Sequence, residues 1–207
     1  MNKVIILLII SDILILSAFG LISPIFAIFL NEGITGGSIV AAGLASTIFF
    51  LVKSAVQLPL SMYLDKKKDK LAFLLIGTFL IIAVPFLYAF SPNINFIYII
   101  QAIYGLGAAM AYPAWYSLFT MHLDSKHRGF EYSIWSTGVG IGAALTAYLG
   151  AEVAKNFGFK TLFFVVGTVS FIGLVVLFFL SKKYLKEVRE VENGVGRIFN
   201  FKHHHKI

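Results

Sequence analysis

Two charged side chains stand inside stretches that are otherwise apolar: Asp12 in "VIILLIISDILILSAFG" and Lys53 in "FFLVKSAVQLPL". A charge near the centre of a bilayer costs about 2.5–3.5 kcal/mol on insertion scales, so such residues face a bundle interior, pair, or mark a solute pathway. Asp12 lies eight residues past Val4, and Lys53 lies eight residues before Ser61. At about 1.5 Å per residue both sit ~12 Å from the same end of their helices, so adjacent antiparallel helices are expected to pair them. Ser46, Lys53, Gln57 and Ser61 are spaced by 7, 4 and 4 and share one helix face. A second stripe holds Gln101, Tyr104, Gly105, Ala108, Tyr112, Trp115 and Tyr116. Amide and aromatic groups at such spacings suit a cavity for amphipathic or aromatic solutes. Asp12, Lys53, Gln57, Gln101, Tyr104 and Tyr112 are therefore the expected cavity residues. The plainer alternatives are that Asp12 and Lys53 only offset each other's desolvation, that Lys53 snorkels to the surface, and that Trp115 and Tyr116 anchor at the interface.

The elements that must position these groups follow from composition. The chain is 58% hydrophobic and only 13% charged, with 21 phenylalanines among 207 residues. Soluble domains carry about 25% charged residues, so this chain belongs to the membrane class. Six apolar runs are long enough to span, at about 4–30, 38–60, 71–90, 94–121, 130–154 and 161–180. The fold class expected is thus all-α integral membrane with six transmembrane helices, a domain over 1–181 and a basic tail over 182–207. The start, Met1-Asn2-Lys3, leads into a run too long for a signal peptide, so an uncleaved first helix is expected.

The net charge of +7 has a topological reading. One set of connections holds eleven Lys and Arg (Lys3, Lys66, Lys67, Lys68, Lys70, Lys126, Arg128, Lys182, Lys183, Lys186, Arg189), the other only Lys155 and Lys160. The positive-inside bias puts both termini in the cytoplasm of a multi-pass plasma-membrane protein. With the charge so explained, no nucleic-acid partner is expected. The tail is expected to lie along anionic lipid or to move freely.

Runs 71–90 and 161–180 contain no Asp, Glu, Lys, Arg or His, whereas the other four carry the polar groups. This contrast predicts an inner group of four helices around a cavity with those two outside. The run over 130–154 carries Gly138, Gly140, Gly142 and Gly150, small residues that let helices approach closely. Enzymatic chemistry finds no support: there is no cysteine, no nucleophile–base pattern and no phosphate-cradling loop. No metal or cofactor is expected. His203–His205 reads as a solvated tract, and His122 and His127 beside Asp124 as surface residues of a turn.

The order of these segments resembles the N-terminal half of a major facilitator superfamily transporter of the drug and metabolite efflux branch. "SMYLDKKKDKL" (61–71) resembles that family's loop pattern Gly-x-x-x-Asp-basic-x-Gly-x-basic-basic, with Asp65, Lys66 and Lys70 matching and Ser61, Lys68 and Leu71 departing. "QAIYGLG" keeps Gly105 and Gly107 of an Arg-x-x-x-Gly-x-Gly pattern, with Gln101 at the arginine position. "GAALTAYLGA" (142–151) is an eroded form of the efflux signature, and "RGFEYSIWSTGVGIGA" and "NFGFKTLFFV" are similar to the family's entries into its fifth and sixth helices. The resemblance implies two inverted three-helix repeats, cavity lining by the first and fourth helices, a gating role for Asp65, Lys66 and Lys70, and helix packing at Gly105 and Gly107. It also implies secondary transport of small organic solutes by alternating access, with proton-coupled efflux as the family's mode and Gln101 standing where coupling would require arginine. Full-length members have twelve helices, so the chain is expected to be a fragment or one half of a pair, with a second six-helix half as partner, as a homodimer or a missing C-terminal half. The rival expectation is a non-transporting accessory or vestigial half that acts by binding a partner.

Overall fold

The computed structural model describes the backbone of residues 1–66 and 70–203, and the side chains of residues 1–66 and 70–180. Lys67 and Lys68 of the basic loop, and the side chains of the tail with His203–His205, lie outside the described residues.

Helix α1 (Lys3–Gly20) is capped by Asn2, whose Oδ1 accepts the Val4 amide at 3.0 Å. It gives way to a 3₁₀ turn, Ser23–Ile25, and then to α2 (Phe26–Glu32). Pro24 lies in that turn. Having no N–H, it cannot continue the α-helical ladder from Gly20, which is why the first apolar run breaks here. Helix α3 (Ile39–Asp65) starts at Ser38, whose hydroxyl accepts the Ala41 amide at 3.0 Å. Helix α4 spans Leu71–Ala89, and α5 (Ile94–His122) is capped by Asn93. The last helical stretch, α6 (Arg128–His203), is interrupted at Gly158, where φ 81° and ψ 163° leave helical geometry. That conformation is open to glycine at little cost and to few other residues.

Five stretches are long and apolar enough to cross a membrane: Lys3–Glu32, Ile39–Asp65, Leu71–Ala89, Ile94–His122 and Arg128–Leu180. Among the described residues there is no β-strand, only a single bridge between Thr35 and Asn93. That bridge ties the α2–α3 turn to the α4–α5 turn through an Ile94 N–H to Thr35 carbonyl bond of 3.1 Å.

The buried side chains form two layers. One gathers the start of α1 (Val4, Ile5, Leu8), the end of α3 (Leu64), the start of α4 (Leu71, Leu74) and the end of α5 (Leu118, Phe119). The other gathers Leu21 to Leu30, Ala42 and Ala45, Tyr88, Ile97 and Ile100. α6 contributes to both, with Ile134, Trp135, Leu177 and Leu180 in the first layer and Val153 to Val166 in the second. Helix α1 packs mainly along α6, and α5 lies against both α3 and α4.

Helix backbones touch where glycine allows it. A Cβ on Gly105 would come 2.8 Å from the Phe49 carbonyl oxygen of α3, and one on Gly107 would come 2.9 Å from the Gly77 carbonyl oxygen of α4. Gly150 lies against the Leu21 backbone just past α1 in the same way, whereas Gly138 and Gly142 lie against the side chains of Ile13 and Ser17 in α1. Gly140, by contrast, faces open space.

The uncharged α4 is better covered by its neighbours in the chain than α3 is: half of its most apolar stretch is buried, against 17% for α3. The physical reason is packing geometry. Helix α4 has α5 on one side and α6 on the other, while α3 packs chiefly on α5 and leaves a long face uncovered. Polarity marks which helices carry the unusual side chains, not which ones their neighbours cover.

Candidate functional site

The break after α1 opens one side of a cavity of about 620 Å³, within the roughly 300–1,000 Å³ range of small-molecule sites. Phe19, Gly20, Ser23, Pro24 and Phe26 line it from the first span, Ser46, Phe49 and Phe50 from α3, and Tyr88 from α4. Gln101 and Tyr104 line it from α5, and Ala143 and Ala147 from α6. No Asp, Glu, Lys, Arg or His is among the lining residues. Gln101 is only 4% exposed, and its Oε1 has no hydrogen-bond partner. Tyr104 is sandwiched between two rings, stacked on Phe19 of α1 at 5.4 Å and tilted against Phe49 of α3 at 4.5 Å. These three rings form a partition at the inner wall of the cavity.

Beyond the partition, towards the end where α1 begins, lie both intramembrane charges. Asp12 Oδ2 accepts a hydrogen bond from the Trp135 indole N–H at 2.6 Å. The Lys53 ammonium stands 4.5 Å from the Tyr112 ring centroid and 6.0 Å from that of Phe49. The expected Asp12–Lys53 pair is absent from the ion pairs among the described residues. The reason lies in helix order: α1 packs along α6 and α3 along α5, so α1 and α3 do not lie side by side. Each charge takes its partner from the helix it does pack on. Cation–π contact is worth about 0.5–1 kcal/mol at exposed sites and ~2 when desolvated, less than the roughly 2.5–3.5 kcal/mol of placing the charge at mid-bilayer. Lys53 is therefore only partly compensated.

Of the sequence-derived candidates, Gln101 and Tyr104 line the cavity, while Asp12, Lys53 and Tyr112 gather beside the first layer, at the end where α1 begins, which is the inner layer. Gln57 is half-buried one turn beyond Lys53, outside the cavity. Trp135 escaped the sequence reading, although a carboxylate held in an apolar run requires a donor. The chain has two tryptophans, and the rings of both meet in this layer, Trp115 and Trp135 at 5.0 Å. Phe19 and Phe49 carried no signal that set them apart from the other phenylalanines.

The basic loop behaves differently. Asp65 ends α3 and is exposed, as is Lys66. Lys70 donates to Ser117 Oγ of α5 at 2.6 Å, fastening the start of α4 to the end of α5. In the α5–α6 turn, Asp124 accepts the Lys126 amide at 2.9 Å and faces His127 Nδ1 at 3.1 Å. The Lys126 amide first, then His127, hold this carboxyl below the usual carboxylate range. Glu131, 2% exposed, accepts the Asp124 amide at 3.0 Å and lies 3.9 Å from the amino terminus. His127 is exposed and His122 half-buried against the Leu118 carbonyl oxygen. Among the described residues no three His, Asp or Glu side chains gather as a metal site.

Long apolar helices enclosing an aromatic cavity, with two charged side chains within the apolar stretches, define a polytopic membrane protein. Comparison with known proteins agrees. The model of the Major Facilitator Superfamily matches residues 8–205, and the chain belongs to that family, whose members are transporters rather than enzymes. It is similar to the Multidrug resistance protein MdtG of Salmonella arizonae, of Salmonella paratyphi B and of Salmonella typhi. Each is 29% identical over 186 residues, an alignment that takes in 84% of this chain and 46% of the relative. Among solved structures its fold is similar to that of the POT family transporter PepTSo, with TM-score 0.74 at 17% identity, over 88% of this chain and 38% of that one. The chain thus spans about half the length of the curated relatives it matches.

Proposed function

We propose that this chain is a six-span half of a secondary transporter for small organic solutes, acting by alternating access together with a second half. The observation that carries the reading is the pairing of an aromatic cavity with a layer holding Asp12 and Lys53 at mid-depth. Solute-binding groups of transporters lie near the bilayer midplane between repeats. The similarity to multidrug resistance proteins supports efflux as the direction. Six crossings are supported by α6. Its 53-residue stretch Arg128–Leu180 would extend about 80 Å as one helix, against a hydrocarbon core of ~30 Å. Reversal at Gly158 explains why both Trp135 and Leu180 pack in the same layer. Two inverted three-helix repeats, divided near the α4–α5 turn, fit this arrangement. Both termini lie in the cytoplasm of the plasma membrane, on the side of the lysine-bearing loop 66–70. Asp65 and Lys66, exposed at the end of α3, are free to meet a second half at the gate.

The second half is either another copy or a C-terminal half, and it covers the open face of α3. The test is particle mass in lipid nanodiscs combined with solute flux in proteoliposomes. A mass of two copies, or of one copy with a second helical partner, together with flux of an aromatic dye, is the expected result. A strictly single, inactive chain would overturn the reading.

A further inference from the structure

Lys53 is a cation at the middle of its helix. It lies fourteen residues from Ile39 and twelve from Asp65, the two ends of α3. At about 1.5 Å per residue these ends are ~21 and ~18 Å away, further than a lysine stem reaches by snorkelling. Its contacts are two aromatic rings, Tyr112 and Phe49, and among the described residues no carboxylate lies within ion-pair distance. Asp12, the one acid at similar depth, is committed to the Trp135 indole at 2.6 Å. Lys53 is also half-exposed, so the described helices do not close its side chain in.

We infer that Lys53 is the docking point for the anionic group of a solute, a small organic carboxylate with an aromatic body. The ammonium supplies the counter-charge. The rings of Tyr112 and Phe49, already beside it, offer faces for the apolar body to stack on. Gln57, one turn along the same face, has an amide able to donate to the second carboxylate oxygen. The Asp12–Trp135 bond keeps the competing acid away from the lysine, so the cation stays available. This inference rests on the reading of the inner layer as solute-facing, and adds to it the charge of the solute.

The chain, in lipid nanodiscs, is titrated with benzoate and separately with benzamide, a neutral molecule of the same shape. Binding is followed through the emission of Trp115 and Trp135, the only tryptophans in the chain. Benzoate is expected to bind at least about 10-fold more tightly than benzamide, the gain of giving one hydrogen bond a full charge. In Lys53→Gln the ratio should fall to about one, and in Lys53→Arg it should stay within about threefold of the original. Equal binding of the two molecules, binding of neither, or a preference that survives Lys53→Gln would overturn the inference. So would loss of assembly mass in Lys53→Gln with no benzoate preference in the unmodified chain, which would give the lysine's anion to a partner subunit. Loss of flux with intact benzoate selectivity would count against transport and leave this site standing.

Discussion

The outer cavity and the inner layer are built from the same helices and solve opposite problems. The cavity has six aromatic rings, an amide and two serines, and no charge. Its one buried amide is left with Oε1 unpartnered. The inner layer has both charges, and each is answered by an aromatic group: Trp135 donates to Asp12, and Tyr112 lies under Lys53. Between them stands the stack of Phe19, Tyr104 and Phe49. The difference teaches that polar groups in this bundle are arranged by helix adjacency and not by charge complementarity. An apolar, loosely filled compartment and a charged, ring-buffered one lie on either side of three rings, an arrangement suited to a solute that carries both kinds of surface.

The comparison can be broken most severely at Gly105, where α3 and α5 touch. Gly105→Val puts side-chain atoms against the Phe49 carbonyl oxygen and the Lys53 amide nitrogen. Overpacking of this kind costs about 1–3 kcal/mol, and here α3 must move, so the thermal midpoint in nanodiscs should drop the most of any variant. Both regions should loosen together, because α3 supplies Phe49 to one and Lys53 to the other.

Asp12→Ala separates the regions more selectively. It leaves the Trp135 indole N–H without its acceptor, a loss of about 1–3 kcal/mol for a buried group. Tryptophan emission should shift while binding of a neutral aromatic dye in the outer cavity stays unchanged. Asp12→Asn keeps an acceptor oxygen and should recover most of the stability. A smaller effect of opposite sign is expected at Gln101. Replacing an amide that has an unpartnered buried oxygen with Leu should be neutral or stabilising by up to about 1 kcal/mol, measured by denaturant or heat, while affinity for polar aromatic dyes falls.

The smallest effect lies outside both regions. The Asp124 carboxyl is held below its ordinary value in the folded chain, by the Lys126 amide first. Its contribution is therefore present above the unfolded-state value and is lost as pH falls through the lower folded one. Amide exchange at Lys126, corrected for intrinsic rates, should accelerate only in that acidic window. Acceleration at neutral pH would show that another group holds the turn.

Much of this was legible in the sequence. The apolar runs marked an all-helical chain with long apolar stretches, because length and hydropathy are local properties. Gln101 and Tyr104 were found because an amide and a phenol at helical spacing stand out among Ile and Leu. The Asp12–Lys53 pair was misread because equal depth was taken for adjacency, and depth says nothing of which helices are neighbours. Trp135 was missed for the same reason: its partner lies 123 positions away on α1. The break after Gly20 was visible only as Pro24, since the apolar run continues through it without interruption.

The chain contains no cysteine, so single substitutions can be labelled cleanly from either side of a sealed membrane. Ser46→Cys reports the outer cavity and Gln57→Cys the inner layer. With a membrane-impermeant thiol reagent and no solute, the account expects Ser46→Cys to react faster from outside and Gln57→Cys faster from inside. Without solute, an equal rate for Ser46→Cys from the two sides, or faster labelling of both from the same side, would contradict a pathway divided by the Phe19–Tyr104–Phe49 partition.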